Sequence, residues 1–400
     1  MIFGFIINLS LGAIYAYSVI SVPLAKYFRS LGLNPSATEM QLPFIVFLAL
    51  ANIVVMPLAG RIIDIWGPRI PVVLGGIATG LAWIGASLST SPLMLTILYG
   101  VFGGVGLGLA YNAPISTIGR WFPDRRGLAL GIALAGFGLS AAITGPLLDY
   151  LISTHGLQRS FQIVGLSFTI IIVGFGLLLR FPEMEAIGQA VSRRGVEAAR
   201  DYTLQEAVKT RVFWVIWTCF AIGTLAGLLA IGVAKPVGLE VAAKSGLGET
   251  EASALMTALI VPFAASNACG RPLFGWIVDK LGTRKAITLS YTLIFIASTT
   301  LYLYPTIPVY IASFTVLWLN LGAWLAIAPA ATTRTFGITH SGEIYGSMLS
   351  AYGVGAITGN LLAGRAKDIL GYYTAAMPVV AALAIIGVII AQTRLEASDK

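Results

Sequence analysis

Met56-Pro57-Leu58-Ala59-Gly60-Arg61-Ile62-Ile63-Asp64-Ile65-Trp66-Gly67-Pro68-Arg69 is repeated in outline by Arg271-Pro272-Leu273-Phe274-Gly275-Trp276-Ile277-Val278-Asp279-Lys280-Leu281-Gly282-Thr283-Arg284. Residue 56 maps onto residue 271, a shift of 215, and Pro, Leu, Gly, Asp, Gly and Arg coincide. Ala113-Pro114 and Ala328-Pro329 keep the same shift, and Ile143-Thr144-Gly145 matches Ile357-Thr358-Gly359 at 214. Three matches at offsets of 214 to 215 mean an internal duplication, with both copies running in the same sense.

Composition says what is duplicated. Of 400 residues, 57% are hydrophobic and 10% charged, with a mean hydropathy of +0.86. A soluble chain of this length carries about 25% charge. Apolar segments of spanning length recur at 2–25, 40–60, 71–88, 93–116, 127–149, 160–180, 212–234, 252–277, 286–304, 307–332, 343–364 and 374–393. A helix of about 20 residues crosses the hydrocarbon, and a helix satisfies its own backbone there. The expected fold is therefore an all-α membrane protein, with twelve transmembrane helices in two parallel-repeat six-helix bundles. Residues 1–180 form the first bundle, 181–211 a linker loop and 212–400 the second. The linker mixes Arg193, Arg194, Arg200, Lys209 and Arg211 with Glu183, Glu185, Glu197, Asp201 and Glu206, as a solvated tether would. Met1 opens directly on the first span without a basic region or cleavage site, so that span does not read as a removable signal peptide.

The formal charge of +8 reflects topology. With 61–70, 117–126, 180–211, 279–285, 333–342 and the C-terminus on one side, that side holds 17 of the 25 Lys and Arg. The other holds Lys26, Arg29, Arg159, Lys235, Lys244, Arg365 and Lys367. The positive-inside tendency then makes both termini and the 181–211 loop cytoplasmic, in a cell (inner or plasma) membrane. The lipid bilayer is the expected environment, and no nucleic-acid partner is implied.

The remaining cation is Arg271, the single charge between Glu251 and Asp279. Counting back from Asp279 at about 1.5 Å per residue puts it roughly 12 Å inside the membrane. A guanidinium at depth costs from about 2.5 to over 10 kcal/mol, so it should face the bundle interior or a wet cavity. It cannot readily shed its charge, and its planar fork fits a carboxylate. Its counterpart in the other half is Met56, so the duplicated scaffold does not require a charge there. The implied partner is a small anion.

Other features carry less. Cys219 and Cys269 lie well apart with no metal or disulfide spacing, and His155 and His340 fall in loops on opposite sides. No cofactor and no metal site is expected. Gly103-Gly104-Val105-Gly106-Leu107-Gly108 lies inside a span with no preceding strand, so it suits helix packing and not phosphate binding. Without a deep acid, a histidine or a nucleophile–base pair in the spans, an enzyme is not expected.

The Gly-x3-Asp-x2-Gly-x-Arg loops after the second and eighth spans resemble the major facilitator superfamily. Gly119-Arg120-Trp121-Phe122-Pro123-Asp124-Arg125-Arg126-Gly127, Gly12-x-x-Tyr15-x-Tyr17-Ser18 and Arg271-Pro272 together resemble its oxalate/formate antiporter and monocarboxylate transporter relatives. The resemblance implies secondary transport by alternating access, with Arg271 binding a substrate carboxylate and Tyr111 beside it. Where the oxalate/formate exchangers carry a lysine, this chain has Tyr352. One guanidinium suits one carboxylate, since a dianion would leave net charge in a low-dielectric site. A small monocarboxylate of the lactate or pyruvate type is therefore expected, and a carboxylate exchanger of the oxalate/formate type is the alternative. Where the animal monocarboxylate transporters carry an aspartate, four residues before the arginine, stands Asn267. Proton symport is expected without that acid, the proton riding on substrate, water or another group.

Tyr15, Tyr17, Phe137 and Trp324 complete the candidate cavity residues with Arg271, Tyr111, Asn267 and Tyr352. Each has a competing role. Arg271 could bond backbone carbonyls at a helix interface, Asn267 could make an interhelical hydrogen bond, and the aromatic residues could be packing. A monomer is expected.

Overall fold

The protein, described here by a computed structural model over residues 1–122, 126–182, 201–337 and 340–395, is almost entirely helical. For residues 64 and 126–128 only the backbone is described. Pro123-Asp124-Arg125, the side chain of Asp64 and the linker charges from Glu183 to Arg200 therefore lie outside the described residues.

Twelve long helices follow in order: α1 (Ile2–Ser30), α2 (Ala37–Ala49, continuing through a π turn into Met56–Trp66), α3 (Arg69–Leu88), α4 (Pro92–Trp121), α5 (Arg126–His155), α6 (Leu157–Leu177), α7 (Arg211–Gly232), α8 (Glu249–Leu281), α9 (Thr283–Leu303), α10 (Ile307–Phe336), α11 (Ser341–Leu370) and α12 (Tyr373–Arg394). All but α11 are long and apolar enough to cross a membrane. At 30 residues α11 has the length, but Gly, Ser, Tyr and Asn occupy much of its middle. Those small and polar residues let it pack closely against α2 and α7. Several helices outrun the expected spans, because polar turns extend beyond the apolar stretch. α8 begins at Glu249 and runs 33 residues to Leu281, against the expected 252–277.

The duplication reappears in the packing. α1 packs on α5 as α7 packs on α11; α3 packs on α4 and α6 as α9 packs on α10 and α12. The two bundles meet through α2 with α11 and α5 with α8, a pairing that swaps into itself when the halves are exchanged. Glycines set the close approaches. A Cβ on Gly106 would lie 2.4 Å from Thr79 Oγ1, and one on Gly103 would fall inside the Phe47 ring. The glycine run of α4 is thus a packing surface against α2 and α3.

The two ends of the bundle interface differ. At the end away from the linker the halves are locked together. Asp368, beyond the apolar stretch of α11, accepts from Ala37 N (2.7 Å), Thr38 N (2.9 Å) and Thr38 Oγ1 (2.5 Å), capping α2 from across the interface. Burial pushes its carboxyl pKa up, but these bonds and the charge of Arg365 outweigh that and hold it below the usual aspartate value. Its contribution is therefore present above that usual value and lost as pH falls through the lowered one. Lys26 pairs with Glu249. Gly364 lies so near α2 that a Cβ would stand 2.6 Å from Thr38 Cα. At the linker end, a Cβ on Gly60, Gly131, Gly275, Gly342 or Gly346 would meet nothing within 4 Å among the described residues. The interface is closed at one end and splayed at the other.

Lys235, expected on the outer side just beyond the seventh span, is buried. α7 breaks at Val233 and continues as Ala234–Lys244, which folds Lys235 inward to 2% exposure. Its Nζ donates to Asp149 Oδ1 (3.0 Å) on α5 and Thr257 Oγ1 (2.7 Å) on α8. The membrane region thus holds a second buried cation, already neutralised. We predict that Asp149→Asn, which strands the Lys235 ammonium, lowers stability by about 3 kcal/mol. The double variant Asp149→Asn/Lys235→Met should recover most of that loss, as measured by thermal unfolding in detergent.

Candidate functional site

Between the bundles, about midway along the helices, lies a small cavity lined by Tyr15 (α1), Asn52 and Met56 (α2), Tyr111 (α4), Phe137 (α5) and Tyr352 (α11), with Leu48, Leu107, Leu325 and Leu349. The centre of a water molecule can explore about 20 Å³ of it, room for roughly one water. Met56 and Arg271 occupy equivalent turns of α2 and α8 in the two halves of the duplication.

Four expected residues, Tyr15, Tyr111, Phe137 and Tyr352, line this chamber, and Arg271 and Asn267 are not among its lining residues. The Tyr15 hydroxyl bonds that of Tyr352 across the interface. The Phe137 ring stands edge-on to Tyr15 at 4.9 Å and to Tyr111 at 5.3 Å. Arg271 reaches across from α8 and donates from Nη1 to the carbonyl of Leu134 on α5. Its Nε and Nη2 are buried without a hydrogen-bond partner among the described residues. The guanidinium charge acts on the hydroxyls of Tyr15, Tyr111, Tyr345 and Tyr352. Two unmet donors on a buried cation are costly, at about 1–3 kcal/mol each or more for a charged group. Such orphaned groups are rare in natural structures, where a water, an ion or a functional contact meets them.

Asn267, one turn before Arg271, is fully buried. Its Nδ2 donates to Trp318 O on α10 (3.0 Å), the interhelical bond weighed above as its competing role. Its Oδ1 has no partner.

Two further expected residues are not brought to the chamber. Tyr17 points into the first bundle, where its hydroxyl donates to Met40 O and its ring lies against Phe44 (5.5 Å) and Tyr99 (6.2 Å). It faces away because Tyr15 and Tyr17, two residues apart, project from different sides of a helical turn. Trp324 is fully buried against Phe220 and Tyr291, seated over Gly223. Its bulk fills the interior of the second bundle, so both are packing residues.

Three residues were overlooked. Tyr345 lies two turns before Tyr352 on α11 and within the field of Arg271. Asn52 lines the chamber, its Nδ2 bonded to Leu48 O (2.9 Å). The repeat contained that signal, since Asn52 precedes Met56 by four residues as Asn267 precedes Arg271. Gly138 on α5 covers Asn267 and Arg271; a Cβ there would stand 3.1 Å from Asn267 Oδ1 and 3.4 Å from Arg271 Nη2.

A family model for the Major Facilitator Superfamily matches residues 3–332. The chain belongs to the major facilitator superfamily. Among curated relatives, it is 29% identical over 324 residues to the oxalate:formate antiporter of Oxalobacter formigenes, covering 80% of this chain and 74% of the relative. It is 27% identical over 335 residues to monocarboxylate transporter 13 of Bos taurus, covering 83% and 74%. Similarity to apicoplast pyruvate carrier 1 of Toxoplasma gondii is 26% over 356 residues, covering 73% and 63%. Among solved structures, a bacterial homolog of the human lysosomal transporter Spinster, inward-facing and occupied, superposes with a TM-score of 0.68. That pair is 18% identical over 97% of this chain and 94% of the other, a likeness of fold. The major facilitator superfamily fold therefore accounts for the twelve helices and their two parallel-repeat bundles.

The Tyr15–Tyr352 bond joins α1 to α11 at the chamber floor. Tyr15→Phe and Tyr352→Phe should each cost about 1 kcal/mol of stability, and the double variant little more than either alone. A double-mutant cycle by thermal unfolding measures this; additive losses would mean that the two hydroxyls act separately.

Proposed function

We propose that this protein is a secondary transporter of small monocarboxylate anions that works by alternating access, with Arg271 as the carboxylate contact. The observation that carries the reading is the pair of buried, unpartnered donors Nε and Nη2 on Arg271. A carboxylate matches them in charge and in fork geometry. Tyr111 and the Tyr15–Tyr352 pair supply hydroxyls around it, and Phe137 an apolar wall. Relatives named as an oxalate:formate antiporter, a monocarboxylate transporter and a pyruvate carrier make small carboxylates the class to test first.

The charge bias of the loops would make the linker end cytoplasmic, with both termini and the 181–211 loop on that side. The splayed end then faces the cytoplasm, and the Asp149–Lys235, Asp368 and Lys26–Glu249 contacts form the outer closure. Residues 1–180 and 212–400 rock about the chamber as two halves joined by the linker. Substrate replaces the Leu134 carbonyl at Arg271 and neutralises the guanidinium, so that the charge no longer opposes passage through the occluded state. Coupling is to a proton, carried on the substrate or through water, since no carboxylate stands at Asn267.

The oxalate:formate relative favours a second reading, exchange of a dicarboxylate for a monocarboxylate. That exchange calls for a second cation at the chamber, where this chain has Tyr352; Lys235 is already paired with Asp149 at the outer end. Arg271→Met, copying the other half, should reduce lactate or pyruvate uptake into proteoliposomes at least 100-fold, as loss of a charged, desolvated contact of about 3 kcal/mol implies, while thermal unfolding stays within a few degrees of wild type. Retained uptake would refute the role, and failure to fold would make the arginine structural.

A further inference from the structure

At the end away from the linker, a carboxylate is held against a buried ammonium. Lys235 Nζ donates to Asp149 Oδ1 at 3.0 Å and to Thr257 Oγ1 at 2.7 Å, and Thr257 Oγ1 lies 3.2 Å from the same Asp149 oxygen. The lysine side chain is 3% exposed and the aspartate 43%. A buried ion pair adds little stability over apolar packing of the same volume, so closure by itself does not call for one.

The three residues belong to different halves. Lys235 follows the break in α7 and Thr257 stands on α8, both in the second bundle, whereas Asp149 is on α5 in the first. Parting the halves at this end leaves Lys235 with Thr257 and takes Asp149 away.

From this point inward, α5 covers one face of α8. Asp149 lies on Thr257; a Cβ on Gly145 would stand 3.3 Å from Ile260 Cγ2, and one on Gly138 would stand 3.4 Å from Ala268 Cα and from Arg271 Nη2. Thr257 and Arg271 are separated by about 21 Å along the helix and lie within about 40° of the same face. Between them that face carries Ile260, Ala264 and Ala268. Beneath α5 therefore runs an apolar strip with a cation at each end.

We infer that Lys235 is an entry subsite for the anion on the outer side. With α5 lifted, the substrate carboxylate takes the place of Asp149 on Lys235 and Thr257, and then passes along the strip to Arg271. The inference rests on the reading of Arg271 as the carboxylate contact and adds a transient contact before it. Asp149 already shows that a carboxylate fits between this ammonium and this hydroxyl. It acts as a tethered competitor. As α5 returns, Asp149 reclaims Lys235, and its charge repels an anion still held there toward Arg271.

The test is the external KM for labelled L-lactate in intact cells, which present the outer face alone, with wild type, Lys235→Gln and Asp149→Asn compared. Lys235→Gln removes the subsite and should raise KM at least about tenfold, the scale of one charge-assisted hydrogen bond. Asp149→Asn removes the competitor and should lower KM. A pair that serves only as a latch is broken equally by either variant, so KM moving in the same direction in both would overturn the inference while leaving Arg271 as the carboxylate contact. If a single variant does not fold, Asp149→Asn/Lys235→Met takes its place. That double variant lacks latch and ammonium together, and its KM should rise as for Lys235→Gln; a KM at or below the wild-type value would overturn the subsite. Absence of uptake by the wild type for lactate, pyruvate and every other small monocarboxylate would overturn the underlying reading of Arg271.

Discussion

A permanent positive charge held inside a bilayer-spanning bundle governs the rest of this structure. Arg271 cannot be deprotonated away and cannot reach water through the lipid, so the protein must supply its solvation. It does so incompletely: among the described residues one backbone carbonyl accepts from it, and two donors are left over. A protein selected only for stability would have placed methionine there, as the duplicated half does at Met56. In the function proposed above, an anion completes the unmet part of that solvation shell.

The fold makes that reservation workable. Glycines along α4 draw α2, α3 and α4 into a rigid first bundle, and α7, α9, α10 and α11 build the second around Trp318 and Trp324. The halves touch through two helix pairs related by the pseudo-twofold axis, so separation at one end brings closure at the other. The polar contacts concentrate at the end remote from the linker. Lys235, Asp149 and Thr257 tie α7, α5 and α8 together there, and Asp368 caps α2 from α11. These contacts are polar and local, so water entering from that side can replace them. An apolar seal of equal area would be harder to reopen.

Much of this was legible in the sequence because it rests on periodicity and duplication. Eleven of the twelve long helices follow from apolar length, with α11 the exception, and the asymmetry between the halves follows from aligning Met56 with Arg271. The same alignment placed Asn52 opposite Asn267, a signal not followed far enough. Other features depend on rotation about a helix axis, which the pattern fixes poorly in a chain apolar on every side. Tyr17 and Trp324 face bundle interiors for that reason, although both looked suited to a cavity. The burial of Lys235 has a different cause. The break at Val233 turns a residue that reads as a loop lysine into a buried one, and the partner that permits it, Asp149, is 86 residues away. Tertiary pairing of this kind leaves no local mark.

The most direct test is a structure with L-lactate bound. The account predicts carboxylate density within hydrogen-bonding distance of Arg271 Nε and Nη2, with the guanidinium released from the Leu134 carbonyl. An anion bound elsewhere, with Arg271 still anchored to Leu134 and its remaining donors covered by protein, would contradict it.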